Sequence, residues 1–546
     1  MRKTLLFLLG SGILMYASAA TPLDTHQPRQ SFVRIASEHQ SGKTKVRKAE
    51  PTSFRPASVS ESDGPITEAP QGDIKTYIRS GTGLYSKGFW AEMGSDQGFY
   101  TEVVWCQDGS VYIKNPLLFY QTGSYLKGKV VGDEIVVDLP QLIEIAEGDS
   151  EEEPYEFYLT MFTGVLDEDL GEIEFVPVEG ECQLKYKIDG ENFGRQLDET
   201  DFSMLGLIWD GYFMDYGELS CQYTPFSADL TQVPDGITTE KWVCSYGGDG
   251  HYVNVGFSGS DVYIQGIAPA IQECWIKGVR SDNGIVFDSG QFLGIDPDNQ
   301  HVSFFWGATM SLEEDPDWGD MVMTPHLASD VKFTYDEATK IMTTSDAILI
   351  NASTTEPYYS ELLDKPLIRT APTNSAHIPQ NPVILNFMPA SVLGTGALQF
   401  DLPRISTDGD ILDTADMYYN VFFDGQLAEL IEGTPDIPWD YSDGWDFSVY
   451  GITHEAYYYD TTVAKVGLQN CYRDGSKVVK SDIVYTDGTV VSSGSGVLNS
   501  TIKAEPIKVG YTDIMGRPAD ARSHGLLLRT TNYSDGTQTV EKIFNR

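Results

Sequence analysis

The sequence predicts an all-β protein: tandem antiparallel meander domains, each closed as a barrel or a sandwich, followed by a β-sandwich and a short β tail. Two observations lead to this prediction. Asp-Gly pairs occur repeatedly along the chain, and one long stretch of sequence recurs after about 150 residues. Asp-Gly tolerates the positive φ of tight hairpins, and alternating apolar residues flank such pairs here. The pairs include Asp108-Gly109, Asp189-Gly190, Asp424-Gly425, Asp474-Gly475, Asp487-Gly488 and Asp535-Gly536.

The first twenty residues have the pattern of a secretory signal peptide. Arg2 and Lys3 precede an apolar run over residues 5–16, and residues 17–19 give the small-x-small cleavage pattern. The apolar run is shorter than the roughly 20 residues that a membrane span requires. We therefore expect residues 1–20 to be removed and the protein to be exported, without membrane insertion, to the cell surface, the medium or the periplasm.

Residues 21–75 are predicted to form a flexible leader. Large apolar residues are sparse there, and seven Lys or Arg face two acidic residues between positions 25 and 60. Such a composition buries too little apolar surface to offset the entropy of ordering. A basic recognition arm is the alternative interpretation.

The charge of the whole chain is the opposite of that of its leader. The formal net charge is −43 at pH 7, from 37 basic and 80 acidic residues. Binding to phosphates needs clustered Lys and Arg, so nucleic acid and anionic lipid are excluded as partners. The six cysteines show no metal-type spacing and do not recur between the repeats, so a disulfide framework is not expected.

The internal repeat predicts a duplicated domain, with copies over residues 76–228 and 238–372. A constant offset through four matches indicates two copies of a whole domain and not a solenoid unit. The matched segments are residues 109–114 with 260–265, 125–128 with 275–278, Gln141-Leu142 with Gln291-Phe292-Leu293, and 184–186 with 333–335.

From about residue 379 the pattern changes to strands spaced like those of a two-sheet sandwich, over residues 379–495. Residues 466–472, followed by Asp474-Gly475, resemble the late strand and turn of fibronectin type III modules. This resemblance covers about 110 residues and implies a fold only.

Residues 503–546 are predicted to form a C-terminal β tail. The segments 511–517, 525–528 and 540–543 resemble the type IX secretion sorting domain of exported Bacteroidota proteins. The spacing between Gly516 and Gly525 is short, and Leu527 stands where that family often has Tyr. A purely structural β-hairpin tail therefore stays open. Residues 262–294 also resemble exported proteins of these bacteria, a similarity that implies no particular activity.

The sequence offers no clear catalytic motif. It contains no G-x-S-x-G elbow, and its eight histidines lie far apart without paired-ligand spacing. Asp and Glu occur throughout, so close carboxylate pairs do not single out a glycosidase site.

A calcium site is the best-supported ligand hypothesis, although the spacing is not that of an EF-hand. Asp408, Asp410, Asp413 and Asp416 place four carboxylates within nine residues. Calcium takes six to eight oxygen ligands from such loops. A solvated acidic turn is the alternative.

Aromatic side chains suggest a second kind of site. Most tryptophans are expected to fill β cores. The segment with Trp439, Tyr441 and Trp445 is the expected exception, because turn residues separate its rings.

These observations favour an exported, non-catalytic protein that binds a glycan or a surface protein at the cell envelope. A secreted polysaccharide hydrolase with a scattered carboxylate site and a structural envelope scaffold remain the alternatives.

Overall fold

The computed structural model describes residues 46–47, 64–86, 91–146, 154–167, 172–196, 202–314, 321–391, 394–492, 498–499, 506–513, 525–533 and 538–545. The predicted signal peptide and most of the predicted leader lie outside these residues. Strands dominate the described residues, and the all-β prediction is confirmed. No helix in the described part of the chain is long and apolar enough to cross a membrane.

A two-residue strand, β1 (Val46–Arg47), precedes the first copy. The copy itself starts at Asp73, three residues before the predicted boundary. Its strands are β2 (Asp73–Ser86), β3 (Ala91–Trp105), β4 (Ser110–Lys114), β5 (Tyr125–Val131), β6 (Glu134–Leu139), β7 (Gln141–Ala146), β8 (Tyr155–Asp167), β9 (Glu172–Pro177), β10 (Cys182–Asp189), β11 (Asn192–Arg195), β12 (Ser203–Trp209) and β13 (Tyr212–Pro225).

Copy 1 combines a closed barrel with a side sheet. The barrel runs β2-β3-β4-β5-β6-β10-β11-β13 and closes where β13 pairs with β2. The side sheet runs β7-β8-β12-β13, with β9 added to β8 and β1 added in parallel to β9. Because β13 belongs to both, one continuous strand joins the barrel to the side sheet.

Copy 2 repeats this connectivity strand by strand. Its barrel runs β14-β15-β16-β17-β18-β22-β23-β26, and its side sheet runs β19-β20-β24-β25 with β21 added to β20. The counterpart of β13 is divided into β25 and β26. The duplication of a whole β domain is thereby confirmed. The strands are β14 (Thr239–Tyr246), β15 (Asp249–Ser258), β16 (Asp261–Gln265), β17 (Trp275–Ser281), β18 (Gly284–Asp288), β19 (Gln291–Ile295), β20 (Val302–Glu314), β21 (Met321–Ala328), β22 (Asp330–Asp336), β23 (Ile341–Thr343), β24 (Ala347–Asn351), β25 (Tyr359–Asp364) and β26 (Leu367–Thr370).

Both barrels are filled by the inward residues of alternating strands, as the period of two requires. The two cores differ in one respect. Copy 1 buries Arg79 and Glu218 completely, whereas the strand position of Arg79 is taken in copy 2 by the apolar Cys244. The copy 2 core is otherwise aliphatic and aromatic, with Trp242, Phe287, Phe305 and Ile368 among its members.

A recurring glutamine explains one of the repeat matches. In copy 1 the Gln141 amide accepts from the Lys127 N–H (2.9 Å) and donates to the carbonyls of Lys127 (2.7 Å) and Asp138 (2.8 Å). In copy 2, Gln291 makes the same three bonds with Lys277 (2.7 and 3.0 Å) and Asp288 (2.8 Å). This clamp fastens the first side-sheet strand to the barrel in both copies.

The third module is a sandwich of two antiparallel sheets. One runs β27-β28-β33-β32, and the other runs β30-β29-β34-β35-β38 with β31, β36 and β37 attached. Its closeness to fibronectin type III modules stays a prediction. The elements are β27 (Val383–Met388), β28 (Gly396–Asp401), a 3-10 helix (Thr414–Asp416), β29 (Met417–Phe423), β30 (Gln426–Leu427), β31 (Ile437–Pro438), β32 (Phe447–Tyr450), β33 (Thr453–Tyr458), β34 (Val466–Asp474), β35 (Lys477–Lys480), β36 (Ile483–Tyr485), β37 (Val490–Val491) and β38 (Leu498–Asn499).

The C-terminal tail forms a three-stranded antiparallel sheet of β39 (Pro506–Asp513), β40 (Gly525–Tyr533) and β41 (Gln538–Asn545). Its role as a sorting signal stays a prediction. All six cysteines are free thiols.

The two copies contact each other through a buried polar cluster. His301 Nε2 lies 2.6 Å from Asp96 Oδ1, and the Tyr358 hydroxyl donates to the same oxygen at 3.0 Å. A β-bridge between Phe99 and His301 extends this contact. Asp96 and His301 are almost fully buried, so the two copies are closely joined.

Candidate binding site on the third module

The loop between β31 and β32 is fixed by a single carboxylate. Asp443 Oδ1 accepts the backbone N–H groups of Trp445 (2.9 Å), Asp446 (2.8 Å) and Phe447 (3.0 Å). The hydrogen bond from the Trp445 N–H, supported by the other two, lowers the pKa of Asp443. The Asp443 carboxylate therefore stays ionised and accepts all three. Gly444 takes a φ of +73°, which favours glycine. The loop therefore has one defined backbone conformation.

This loop holds Trp445 in solvent, with 78 % of its surface exposed. Tyr459, which is 64 % exposed, donates its hydroxyl to Asp446 Oδ1, and the Tyr457 N–H donates to the Asp446 carbonyl at 2.9 Å. An exposed tyrosine thus binds the carboxylate of the residue that follows the exposed tryptophan. A loop fixed beforehand loses little entropy when a ligand binds to these rings.

The outward face of the adjoining β-hairpin continues this aromatic and acidic character. Ser448 and Tyr450 of β32 lie opposite Glu455 and Thr453 of β33. Glu455 accepts from Gln399 Nε2 (3.2 Å) and Ser448 Oγ (3.4 Å), which hold its carboxylate in place. We call the surface formed by Trp445, Asp446, Tyr450, Glu455, Tyr457 and Tyr459 the Trp445 surface.

Of the three aromatic residues predicted from the sequence, only Trp445 is exposed. The prediction for Trp439 is wrong: its side chain is 8 % exposed, and its Nε1–H donates to the Leu402 carbonyl at 3.3 Å. The alternation of β31 points Ile437 inward and Pro438 outward, so Trp439 turns inward again. Tyr441 is half-buried against Phe447, with ring centroids 5.2 Å apart.

Sequence reasoning missed Tyr450, Tyr457 and Tyr459. The run 456–459 carries a usable signal, because in a strand its successive tyrosines face opposite sides. Tyr458 is buried and Tyr459 is exposed, as this alternation requires.

The predicted calcium ligands do not come together. Asp408 accepts from the hydroxyls of Ser375 (2.9 Å) and Ser406 and from the Ala376 N–H (2.8 Å). Burial raises the pKa of Asp408, but these hydrogen bonds outweigh it and the pKa is lowered overall. Asp408 is therefore an ionised acceptor that the protein's own donors already occupy.

The other three aspartates have separate roles. Asp410 Oδ1 accepts from the Tyr252 hydroxyl of copy 2 at 2.9 Å, and Asp413 caps the 3-10 helix through the Ala415 N–H at 3.0 Å. Asp416 is exposed at the end of that helix. Within the described residues no group of three or more acidic, histidine or cysteine side chains could hold a metal ion. Calcium binding at residues 408–416 therefore stays a prediction, without a cluster of ligands among the described residues.

The acidic loop instead joins copy 2 to the third module. Arg404 Nε donates to Asp249 Oδ1 at 2.8 Å, and its backbone N–H donates to the Gly248 carbonyl at 2.9 Å. Two further contacts reinforce the junction. One is the Tyr252–Asp410 hydrogen bond. In the other, the Arg369 guanidinium of copy 2 packs against Gly409 and lies where a Cβ at that position would be.

Comparison with known proteins adds no assignment. No protein-family model matches the chain, and no curated protein matches it at the significance required. Any functional conclusion therefore rests on the residues and their geometry.

The buried charges of copy 1 are the other chemically unusual group. Burial raises the pKa of Glu218, and the nearby guanidinium groups of Arg79 and Arg195 partly oppose this rise. Arg79 donates to the Asn115 carbonyl and, at 3.0 Å, to the Leu117 carbonyl. Since Arg79 and Glu218 are fully buried, this cluster offers no surface to a polymer.

Proposed function

We propose that this is an exported, non-catalytic binding protein and that its Trp445 surface binds a glycan. One observation carries the proposal: a tryptophan 78 % exposed stands on a loop whose backbone three hydrogen bonds to Asp443 already fix. A large ring exposed on an ordered loop, with further exposed rings beside it, is typical of a recognition surface.

The chemistry of the surface suits a sugar. Exposed indole and phenol rings offer flat apolar faces for the C–H face of a pyranose, with a polar edge for its hydroxyls. The carboxylates of Asp446 and Glu455 are acceptors for sugar hydroxyl groups. Both lie in a strongly acidic protein, so uronic acids and sulfated sugars would be repelled. The expected ligand is therefore a neutral glycan.

In this proposal the duplicated copies act as a support for the third module. The Asp96–His301–Tyr358 cluster joins copy 1 to copy 2, and the Arg404–Asp249 pair joins copy 2 to the sandwich. A series of joined β domains would hold the Trp445 surface away from an anchoring point at the envelope.

The test is a glycan array with the mature chain, repeated with calcium and with a chelator. We expect binding to a neutral glycan class, unchanged by chelation and lost in Trp445→Ala. Tyr212→Ala is the matched control, because Tyr212 is an aromatic residue 48 % exposed on copy 1. Trp439→Ala is unsuitable, since it would open a cavity in the sandwich core.

Two results would contradict the proposal. Binding that survives in Trp445→Ala would place the ligand elsewhere, and no binding to any glycan would leave a protein partner for the same surface. Hydrolysis of a bound glycan would instead favour the enzyme alternative.

A further inference from the structure

Copy 2 leaves one apolar sheet face partly uncovered. The face belongs to the hairpin of β20 and β21, which extends beyond the rest of the side sheet. Its apolar residues on one side are Met310, Leu312, Met321 and Met323, which we call the Met face. Leu312 is 55 % exposed and Met321 is 49 % exposed, while Met310 and Met323 are half-buried. Exposure of this size on adjacent apolar residues marks a contact surface.

The inner part of this face is covered by a long hairpin in copy 1. There Phe162 of β8 and Phe175 of β9 are buried against Leu84 and Ala91 from the β2–β3 hairpin. The strands β2 and β3 have 14 and 15 residues, whereas their counterparts β14 and β15 have 8 and 10. Copy 2 lacks such a long hairpin, and the positions in register with Phe162 and Phe175 hold the smaller buried residues Ala308 and Pro325. The exposed Met face lies further along, toward the tip of the β20–β21 hairpin.

The outer edges of the two side sheets differ as well. In copy 1, β1 pairs in parallel with β9, in the register Val46 to Ile173 and Arg47 to Glu174. The counterpart of β9 is β21, and among the described residues no strand pairs with the outer edge of β21. An open edge presents backbone donors and acceptors to any extended segment.

We propose that residues 31–36 of the leader dock on copy 2 as an added strand beside β21 and cover the Met face. The leader already adds a strand at the equivalent edge of copy 1, through Val46 and Arg47. Strand addition of this kind combines backbone hydrogen bonds with pockets for alternate side chains.

The composition of residues 31–36 suits the Met face and the edge of β21. Residues 31–36 read Ser-Phe-Val-Arg-Ile-Ala, so Phe32, Val33 and Ile35 supply apolar side chains and Arg34 supplies a positive charge. The exposed carboxylates of Glu313 and Glu314 stand at the end of β20, beside the Met face. The basic leader thus meets an acidic rim, and flexible methionine side chains adapt to irregular apolar surfaces.

The length of the leader limits where residues 31–36 can lie. Nine residues lie between positions 36 and 46, and the ten steps of chain they make span up to about 33 Å when extended. Copy 1 meets the side sheet of copy 2 at Asp96 and Tyr358, which directly precedes β25. The strand β21 lies three strand spacings, about 14 Å, across that sheet from β25. The proposal therefore requires one leader to pair at β9 through residue 46 and at β21 through residues 31–36.

The first experiment compares the mature chain with a form that lacks residues 21–45 and keeps β1. Peroxide oxidation of Met321 and Met323 is followed by peptide mass spectrometry. We expect oxidation to rise about tenfold without the leader, which corresponds to about 1.4 kcal/mol of docking. Met204, which is fully buried in copy 1, serves as the internal control. Equal oxidation of Met321 in the two forms would overturn the proposal.

A second experiment tests the occupant directly. A fluorescent peptide of residues 27–40 is titrated into the shortened chain and followed by anisotropy. Binding should disappear with Leu312→Asp and persist with Val165→Asp, which changes a residue 56 % exposed on the corresponding hairpin of copy 1. It should also disappear when Phe32, Val33 and Ile35 of the peptide are replaced by Ser. Absence of peptide binding, with dimerisation of the shortened chain, would assign the Met face to a second copy and refute the leader as occupant.

Discussion

The stability of the third module should fall as the pH is lowered from 7 to 5, and His454 should cause most of the fall. This imidazole is fully buried in the sandwich core. It stacks on Phe400 with centroids 5.5 Å apart and meets the Trp439 ring at 5.0 Å. Burial lowers the pKa of His454 from 6.5 to about 4, although the carbonyls of Trp439 and Ile452 favour the charged form.

The sign and size follow from this difference. The unfolded chain takes up a proton at His454 near pH 6.5, whereas the folded module does not until the pH approaches 4. The stabilising effect of a neutral His454 is therefore complete above about pH 6.5 and is lost progressively down to about pH 4. Between pH 7 and pH 5 the loss amounts to about 2 kcal/mol, at roughly 1.4 kcal/mol per pH unit in the steep region.

Cys471 provides a local assay for this change. It is the cysteine of the third module, and its side chain is fully buried in β34. Its labelling by a pyridyl disulfide in urea, normalised to the unfolded chain at each pH, reports opening of the sandwich. In His454→Gln the amide keeps a hydrogen-bond donor but does not titrate, so the variant should lose much less stability than the wild type over this range. His326→Gln, at an exposed position in copy 2, is the control. Equal losses in the wild type and in His454→Gln would refute the reasoning.

Three further predictions concern the loop, the clamp and the module junction. Asp443→Ala should weaken glycan binding as Trp445→Ala does, because it removes three hydrogen bonds that order the loop. It removes no hydrogen bond in the core, so Cys471 should stay protected from labelling. Calorimetric titration measures the affinity for the glycan, and unchanged binding would contradict this prediction. Gln291→Ala should destabilise copy 2 by about 1–3 kcal/mol, because it removes three hydrogen bonds to backbone groups. Gln141→Ala should destabilise copy 1 in the same way. Thermal unfolding measures both effects, and opposite effects would contradict the equivalence of the two glutamines. Arg404→Ala should weaken the junction between copy 2 and the third module without unfolding that module. Proteolysis between copy 2 and the sandwich should therefore accelerate, while Cys471 stays protected from labelling. An unchanged cleavage rate would show that the Arg404–Asp249 pair is dispensable.

Local patterns predicted the fold well because they act over short distances. The alternation around the Asp-Gly turns fixes which side of each strand faces a core. The recurrence of Gln141 as Gln291 reflects a hydrogen-bonding role that both copies need. Closure of each barrel between its first and last strands, by contrast, depends on pairings more than 120 residues apart, such as Ser245 with Leu367.

The candidate sites were less predictable for the same reason. The orientation of Trp439 depends on the alternation of a two-residue strand, which composition alone does not reveal. The partner of Asp410 is Tyr252, 158 residues away, so an acidic turn that resembles a cation loop is in fact part of a junction. Trp445 was correctly identified as exposed, since turn residues surround it.

The continuous strand of copy 1 has a consequence for how the molecule comes apart. Because β13 belongs to both the barrel and the side sheet, copy 1 should lose both in a single cooperative event. In copy 2 the counterpart is divided between β25 and β26, at Lys365 and Pro366. Its side sheet can therefore open while the barrel stays closed. Amide hydrogen exchange should find one protection class across copy 1 and two across copy 2. Two domains with the same connectivity would then differ in the number of their folding units.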